Sequence, residues 1–138
     1  MGKIRFFYNG LKTESGKLEK AYFSYSTKSD GSKHVMCYKD SYDHFSETIR
    51  KELQAINKSD YQTDYVVHDH IEFNANSPYW IEALKMAKIT IEKKIVRITK
   101  KIENPKTEKY LLSGLIRDVE YAKRESAEIS ALIGKAGK

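Results

Sequence analysis

The sequence predicts an α+β fold: a small antiparallel β-sheet with a short helix, followed by a long antiparallel helical hairpin. Three observations predict it. From Pro78 to Ile133 apolar residues recur at three- and four-residue steps, the period of helices with one buried stripe. Asn104-Pro105 divides that stretch into two helices. The first half of the chain instead carries short runs of aromatic and β-branched residues bounded by turn signals, the pattern of strands.

Lys3 to Tyr8 (KIRFFY) reads as a first strand, and Asn9-Gly10 as its turn, because both residues tolerate positive φ. Gly16 marks a second loop. Leu18 to Ser26 (LEKAYFSYS) is the next strand. Its two faces, Leu18, Lys20, Tyr22, Ser24, Ser26 and Glu19, Ala21, Phe23, Tyr25, are both mixed, so both are expected to be partly covered. Asp30-Gly31 turns the chain into His34 to Lys39 (HVMCYK), and a meander of three antiparallel strands is the simplest topology. A short helix runs from Ser46 to about Asn57, with Ser46 as cap, Glu47 in the first turn, and Ile49, Leu53 and Ile56 buried. Tyr65 to Phe73 (YVVHDHIEF) reads as a fourth strand, with Ile71 and Phe73 on one face.

Ser77-Pro78 opens the first long helix and Asn104-Pro105 the second. Serine and asparagine cap helices, and proline at the first helical position gives up an N–H that has no partner there. The stripe of the first helix is Leu84, Ile91, Ile95, Ile98 and Ile102. That of the second is Leu112, Leu115, Val119, Ala122, Ile129 and Ile133, with Ser126 at one polar seam position. Residues 1–77 are thus a sheet module and 78–138 a helical hairpin, expected to pack together as one domain.

A sheet half of this size can build only a small core. Ile81, Ile89 and Val96 widen the apolar face of the first helix, so a homo-oligomer formed through the long helices is expected. Charge is uneven. Residues 1–77 hold 11 Lys/Arg against 11 Asp/Glu, and residues 78–138 hold 14 against 8, which is the whole net charge of +6. An anionic partner at the helices is one meaning and a solvated lysine face the other. The single cysteine, Cys37, excludes an intrachain disulfide and fits a reducing, cytoplasmic setting. The sequence shows neither a secretory leader nor an apolar run long enough to span a membrane. Gly134 to Lys138 reads as a frayed tail.

Catalytic signatures are missing: there is no nucleophile elbow, phosphate-binding glycine loop, CxxC or HExxH. No enzyme and no cofactor is expected. Strand alternation puts His68, His70 and Glu72 on one face, but without a further fixed ligand this is read as a polar strand surface, not a metal site. The second long helix carries Tyr110, Gly114, Arg117, Tyr121 and Arg124 at helical steps on a flank of its apolar seam. Guanidinium forks bind phosphate bidentately, and tyrosine rings offer a face to a base. The competing reading pairs Arg117 and Arg124 with Glu120 and Glu128 of the same helix. Gly114 costs ~1 kcal/mol relative to alanine in a helix interior, which implies a packing or close-approach role. Tyr79 and Trp80 lie near Asn76 at the start of the first long helix, where aromatics usually plug a sheet–helix junction.

The segments FFYNGLK…GKLEKAYFSYS and SDYQTDYVVHDHIEF, with the long basic helices after them, resemble the phage-encoded anti-Thoeris sponge proteins, the first-described type of Thoeris anti-defence protein. The resemblance implies a small sheet with a long helical hairpin, and helices that pair into dimers and higher assemblies. It implies sequestration, without cleavage, of cyclic ADP-ribose isomers, the signals of bacterial TIR-domain proteins, in the cytoplasm of the infected host. Some members of that family also bind small cyclic oligonucleotides at separate sites. On this resemblance Arg117 is the best match for a phosphate-binding arginine, Arg124 follows two turns later, and Asn76, Tyr79 and Trp80 stand for the asparagine and aromatic contacts. The alternative is a basic phage protein that binds nucleic acid or inhibits a host protein through the same hairpin.

Overall fold

Alternating burial along short strands builds one antiparallel sheet. The strands are β1 (Ile4–Phe7), β2 (Gly10–Thr13), β3 (Glu19–Thr27), β4 (Lys33–Lys39) and β5 (His70–Phe73), and they lie in sequence order. Helix α1 (Glu47–Ile56) falls between β4 and β5, and α2 (Trp80–Glu103) and α3 (Lys109–Ala136) form the hairpin. The computed structural model describes residues 4–14, 16–39, 45–56 and 70–136, with the backbone alone for 52–56 and 70. The expected strand over Tyr65 to Asp69 and the side chains of Leu53 and Ile56 lie outside these residues. The fold class is the expected one, but the sheet has five strands where the sequence pattern predicts a three-strand meander and a fourth strand after the short helix.

The added strand is β2, where the sequence pattern predicts loop. Tyr8 and Asn9 form the turn, and Phe7 pairs with Gly10. Gly10 is therefore the first strand residue and does not use positive φ; Gly31, with φ 88°, is the residue that does. What Gly10 provides is close approach: a Cβ there would lie 2.3 Å from the backbone oxygen of Glu19 on β3. The Asp30-Gly31 turn forms as expected, with Asp30 Oδ1 accepting the N–H and the hydroxyl of Ser32.

On one sheet face Leu11, Phe23, Val35, Cys37, Ile71 and Phe73 are buried. The Phe6 ring lies 5.4 Å from Phe73, 5.9 Å from Phe23 and 5.1 Å from Tyr79, a cluster that joins β1, β3, β5 and the entry to α2. The other face carries Tyr22, Ser24 and Ser26 of β3, His34, Met36 and Tyr38 of β4, and Glu72 of β5, with Tyr22 and Tyr38 stacked at 5.2 Å.

Capping follows the sequence at α1 and departs from it at α2 and α3. Ser46 Oγ accepts the N–H of Ile49 at 3.3 Å, the bond of a helix cap. Ser77 Oγ instead accepts the N–H of Tyr79, two residues on, at 3.2 Å, and its carbonyl accepts that of Trp80, so Ser77 and Pro78 lie in a turn and the Tyr79 carbonyl takes the first helical bond of α2. Asn104 likewise does not open α3. Its Oδ1 takes the N–H of Lys106 at 2.9 Å, its carbonyl takes that of Thr107, and the Thr107 hydroxyl donates to the Lys101 carbonyl. That turn closes the end of α2 instead, Pro105 lies within it, and the helix resumes at Lys109.

The chain divides into two compact units, Met1–Ala87 and Lys88–Lys138. The division falls inside α2, later than the 77/78 boundary read from the sequence. In the first unit Ala83, Leu84 and Ala87 of α2 are buried. In the second, Ile91 and Ile98 of α2 and Val119, Ala122 and Ile129 of α3 form the buried seam. Grooves bring Ile95 beside Ser126, and Lys101 beside Leu115, the antiparallel order of a hairpin. Among the described residues no helix is long and apolar enough to cross a membrane.

Candidate functional site

The arginine–tyrosine stripe of α3 is solvent-facing. At about 100° per residue, Tyr110, Arg117, Tyr121 and Arg124 lie roughly opposite Val119 and Ser126 on the helix. They therefore occupy the side away from the seam, not its flank as expected from the sequence. Tyr110 is 78% and Tyr121 58% exposed, and both arginines are exposed. The competing pairs with Glu120 and Glu128 do not form: neither Arg117 nor Arg124 makes an ion pair with a described residue. Two guanidinium forks without an ion pair among the described residues thus share one helix face with two tyrosine rings.

Arg117 folds back toward Gly114. A Cβ built on Gly114 would stand 3.9 Å from Arg117 Nη2, an ordinary contact, so crowding within the chain does not explain this glycine. Gly114 instead lines a cavity of about 490 Å³ at the hairpin tip, together with Lys101, Lys106, Thr107, Leu111 and Asp118. Leu111 and Ile116 on α3 and Val96 on α2 are each about half exposed.

The other three candidates belong to the first unit. Asn76 is exposed and gives its N–H to Asn74 Oδ1. Tyr79 and Trp80 are each 7% exposed, and Tyr79 contributes to the aromatic cluster. In this chain the two rings serve the core, the more ordinary role for aromatics at that junction, and offer no open face to a ligand.

His68 lies outside the described residues, as does the side chain of His70. Glu72, the remaining member of that set, is 3% exposed and already engaged. Its Oε1 accepts from Lys28 Nζ at 2.9 Å and from His34 Nδ1 at 3.0 Å, and its Oε2 from Lys28 at 3.0 Å. His34 Nε2 in turn meets the hydroxyl of Ser26. Sequence reasoning missed this Ser26–His34–Glu72 chain. The Asp30-Gly31 hairpin held a signal for its first link, since that register pairs Ser26 with His34. Among the described residues no group of three or more His, Cys, Asp and Glu is placed to hold a metal ion. Cys37 is fully buried, and burial pushes its thiol far above the ordinary range, so it is no nucleophile in the folded state.

Compared with known proteins, the chain matches no family model, no curated protein and no solved structure.

Proposed function

We propose that this protein sequesters a small anionic nucleotide, without cleaving it, through the outer face of α3, with Arg117 and Arg124 on its phosphates and Tyr121 against a base or ribose. The observation that carries the reading is the set of exposed arginines without ion pairs beside exposed tyrosines, on a helix whose opposite face is already buried. An exposed face binds weakly by itself. A second copy, seated against exposed Ile116 on the flank of α3 next to the arginines, makes the face one wall of a cleft and strengthens each charge-assisted bond by excluding water. The family resemblance supplies the ligand class, a cyclic ADP-ribose isomer, and the setting, phage counter-defence in the cytoplasm of an infected bacterium.

A second reading is favoured by one observation, the confinement of the whole +6 charge to residues 78–138. A basic hairpin also suits a phosphate backbone. Salt separates the two, because polymer binding falls steeply as counterions are released and binding of one small nucleotide falls much less. The test is a thermal-shift screen with cyclic ADP-ribose isomers, cyclic oligonucleotides and duplex DNA, at low and moderate salt. Stabilisation by a cyclic ADP-ribose isomer that survives added salt supports the proposal. Stabilisation by duplex DNA alone, lost with salt, refutes it.

A further inference from the structure

The sheet unit holds an arrangement that a binding role on α3 does not use. Ser26 on β3 and His34 on β4 are directly opposed in the antiparallel register, and Glu72 on β5 pairs with Met36, two residues along β4 from His34 and on the same face. Three neighbouring strands thus deliver a serine, a histidine and a carboxylate to one side of the sheet in a continuous hydrogen-bonded line.

The chemistry of that line follows from its buried end. The Glu72 side chain is 2% exposed, and both its oxygens accept from the Lys28 ammonium. With both oxygens already accepting from that ammonium, Glu72 is the acceptor in its contact with the histidine as well. Its 3.0 Å contact with His34 Nδ1 therefore requires the proton to be on Nδ1. In the neutral ring the lone pair is then on Nε2, and Nε2 faces Ser26 Oγ. The hydroxyl must donate into that lone pair, which leaves the oxygen's own lone pairs unused by His34, on a residue that is half-buried. Nucleophile, base and orienting carboxylate are thus connected in the order that activates a serine.

We propose that Ser26 is an activated nucleophile that takes acyl groups from esters with good leaving groups, aryl esters or thioesters, with His34 as its general base and Glu72 as a positioning residue. Ser26 Oγ bonds to the carbonyl carbon as its proton passes to His34 Nε2. The carbonyl reforms, the bond to the leaving oxygen or sulfur breaks, and the leaving group departs with that proton. Water then attacks the acyl-serine, His34 takes its proton and returns it to Ser26, and a carboxylic acid is released. The restriction to good leaving groups follows from the site: among the described residues the one side-chain hydrogen bond at Ser26 Oγ is to His34, and no further donor is fixed there to take up oxyanion charge.

The test uses the full chain and a fluorophosphonate probe, with the modified peptide identified by mass. Ser26 should be labelled, Ser26→Ala should remove the adduct, and His34→Gln should slow labelling by about 10²-fold, the usual scale of general-base assistance. No adduct on folded wild type, or labelling indifferent to His34→Gln, overturns the proposal. Ser26→Cys gives a second arm, since buried Cys37 contributes no competing thiol. Its alkylation by iodoacetamide should be at least about tenfold faster than that of the double variant that also carries His34→Gln, and equal rates overturn the proposal. Nitrogen-15 shifts of His34 test the positioning step: Nδ1 should carry the proton in wild type and lose that preference in Glu72→Gln, whereas an Nε2–H ring in wild type contradicts the arrangement.

Discussion

Two isoleucines on α3, Ile116 and Ile129, should respond to the same truncation very differently. Ile129 is fully buried in the hairpin seam, and Ile116 is 49% exposed. Ile129→Ala removes three buried carbons, worth ~2.4 kcal/mol at ~0.8 kcal/mol each. The void adds a further ~1 kcal/mol if α2 does not collapse into it, so the cost is about 3 kcal/mol, inside the usual range for such changes. For a chain of this length that is a fall in Tm of about 6–12 °C, at roughly 2–4 °C per kcal/mol. Ile116→Ala should change the unfolding of the isolated chain by less than about 0.5 kcal/mol, as for most surface substitutions. Thermal unfolding followed by circular dichroism at sub-micromolar protein measures both. A larger effect at Ile116 than at Ile129 under those conditions would refute the seam register, and with it the placement of Arg117 on the opposite face.

Other expectations follow from the same geometry. Sedimentation or light scattering at micromolar concentration should show a species larger than one chain, and Ile116→Glu should reduce it to a monomer of unchanged helicity; a wild-type monomer removes the second-copy wall from the site. Asp30 should titrate below the ordinary carboxylate value because the Ser32 hydroxyl and N–H hold its charged form, with Ser32→Ala restoring part of the shift. A depressed folded value means this contribution to stability is present above the unfolded value and lost as pH falls through the folded one, which a carbon-13 NMR titration would follow. Cys37 should resist a disulfide reagent at about pH 8 until denaturant is added; fast reaction of the folded protein would contradict its burial.

Features that depend on nearest neighbours in sequence are the ones the chain makes readable. The hairpin stripes are legible because a 3.6-residue period needs no knowledge of the partner, and Val119, Ala122 and Ile129 are buried as that period requires. Ser46 is legible as a cap for the same reason. Strand β2 is not, because GLKT has little β-forming character; it is a strand through its partners, pairing with β1 and β3 around a glycine that a side chain could not replace. The start of α3 lies later than the sequence suggests because Asn104 has two local options, and its side chain closes a turn on Lys106 in preference to capping a helix. The side of α3 that bears Arg117 follows from helical arithmetic, but its freedom from Glu120 and Glu128 is a matter of rotamers. The Ser26–His34–Glu72 line is out of reach of the sequence, since it needs the pairing of β5 with β4 across a long intervening segment that includes α1.

The central claim is that Arg117 binds the phosphates of a small nucleotide, and calorimetric titration with cyclic ADP-ribose isomers tests it most directly. A bidentate guanidinium–phosphate contact contributes about 1.5–3 kcal/mol per charge-assisted bond, so Arg117→Ala should weaken binding roughly tenfold or more. Arg117→Lys should recover only part of the loss, because the charge returns without the fork. Wild type and Arg117→Ala binding the ligand with equal affinity, or wild type not binding it at all, would contradict the account.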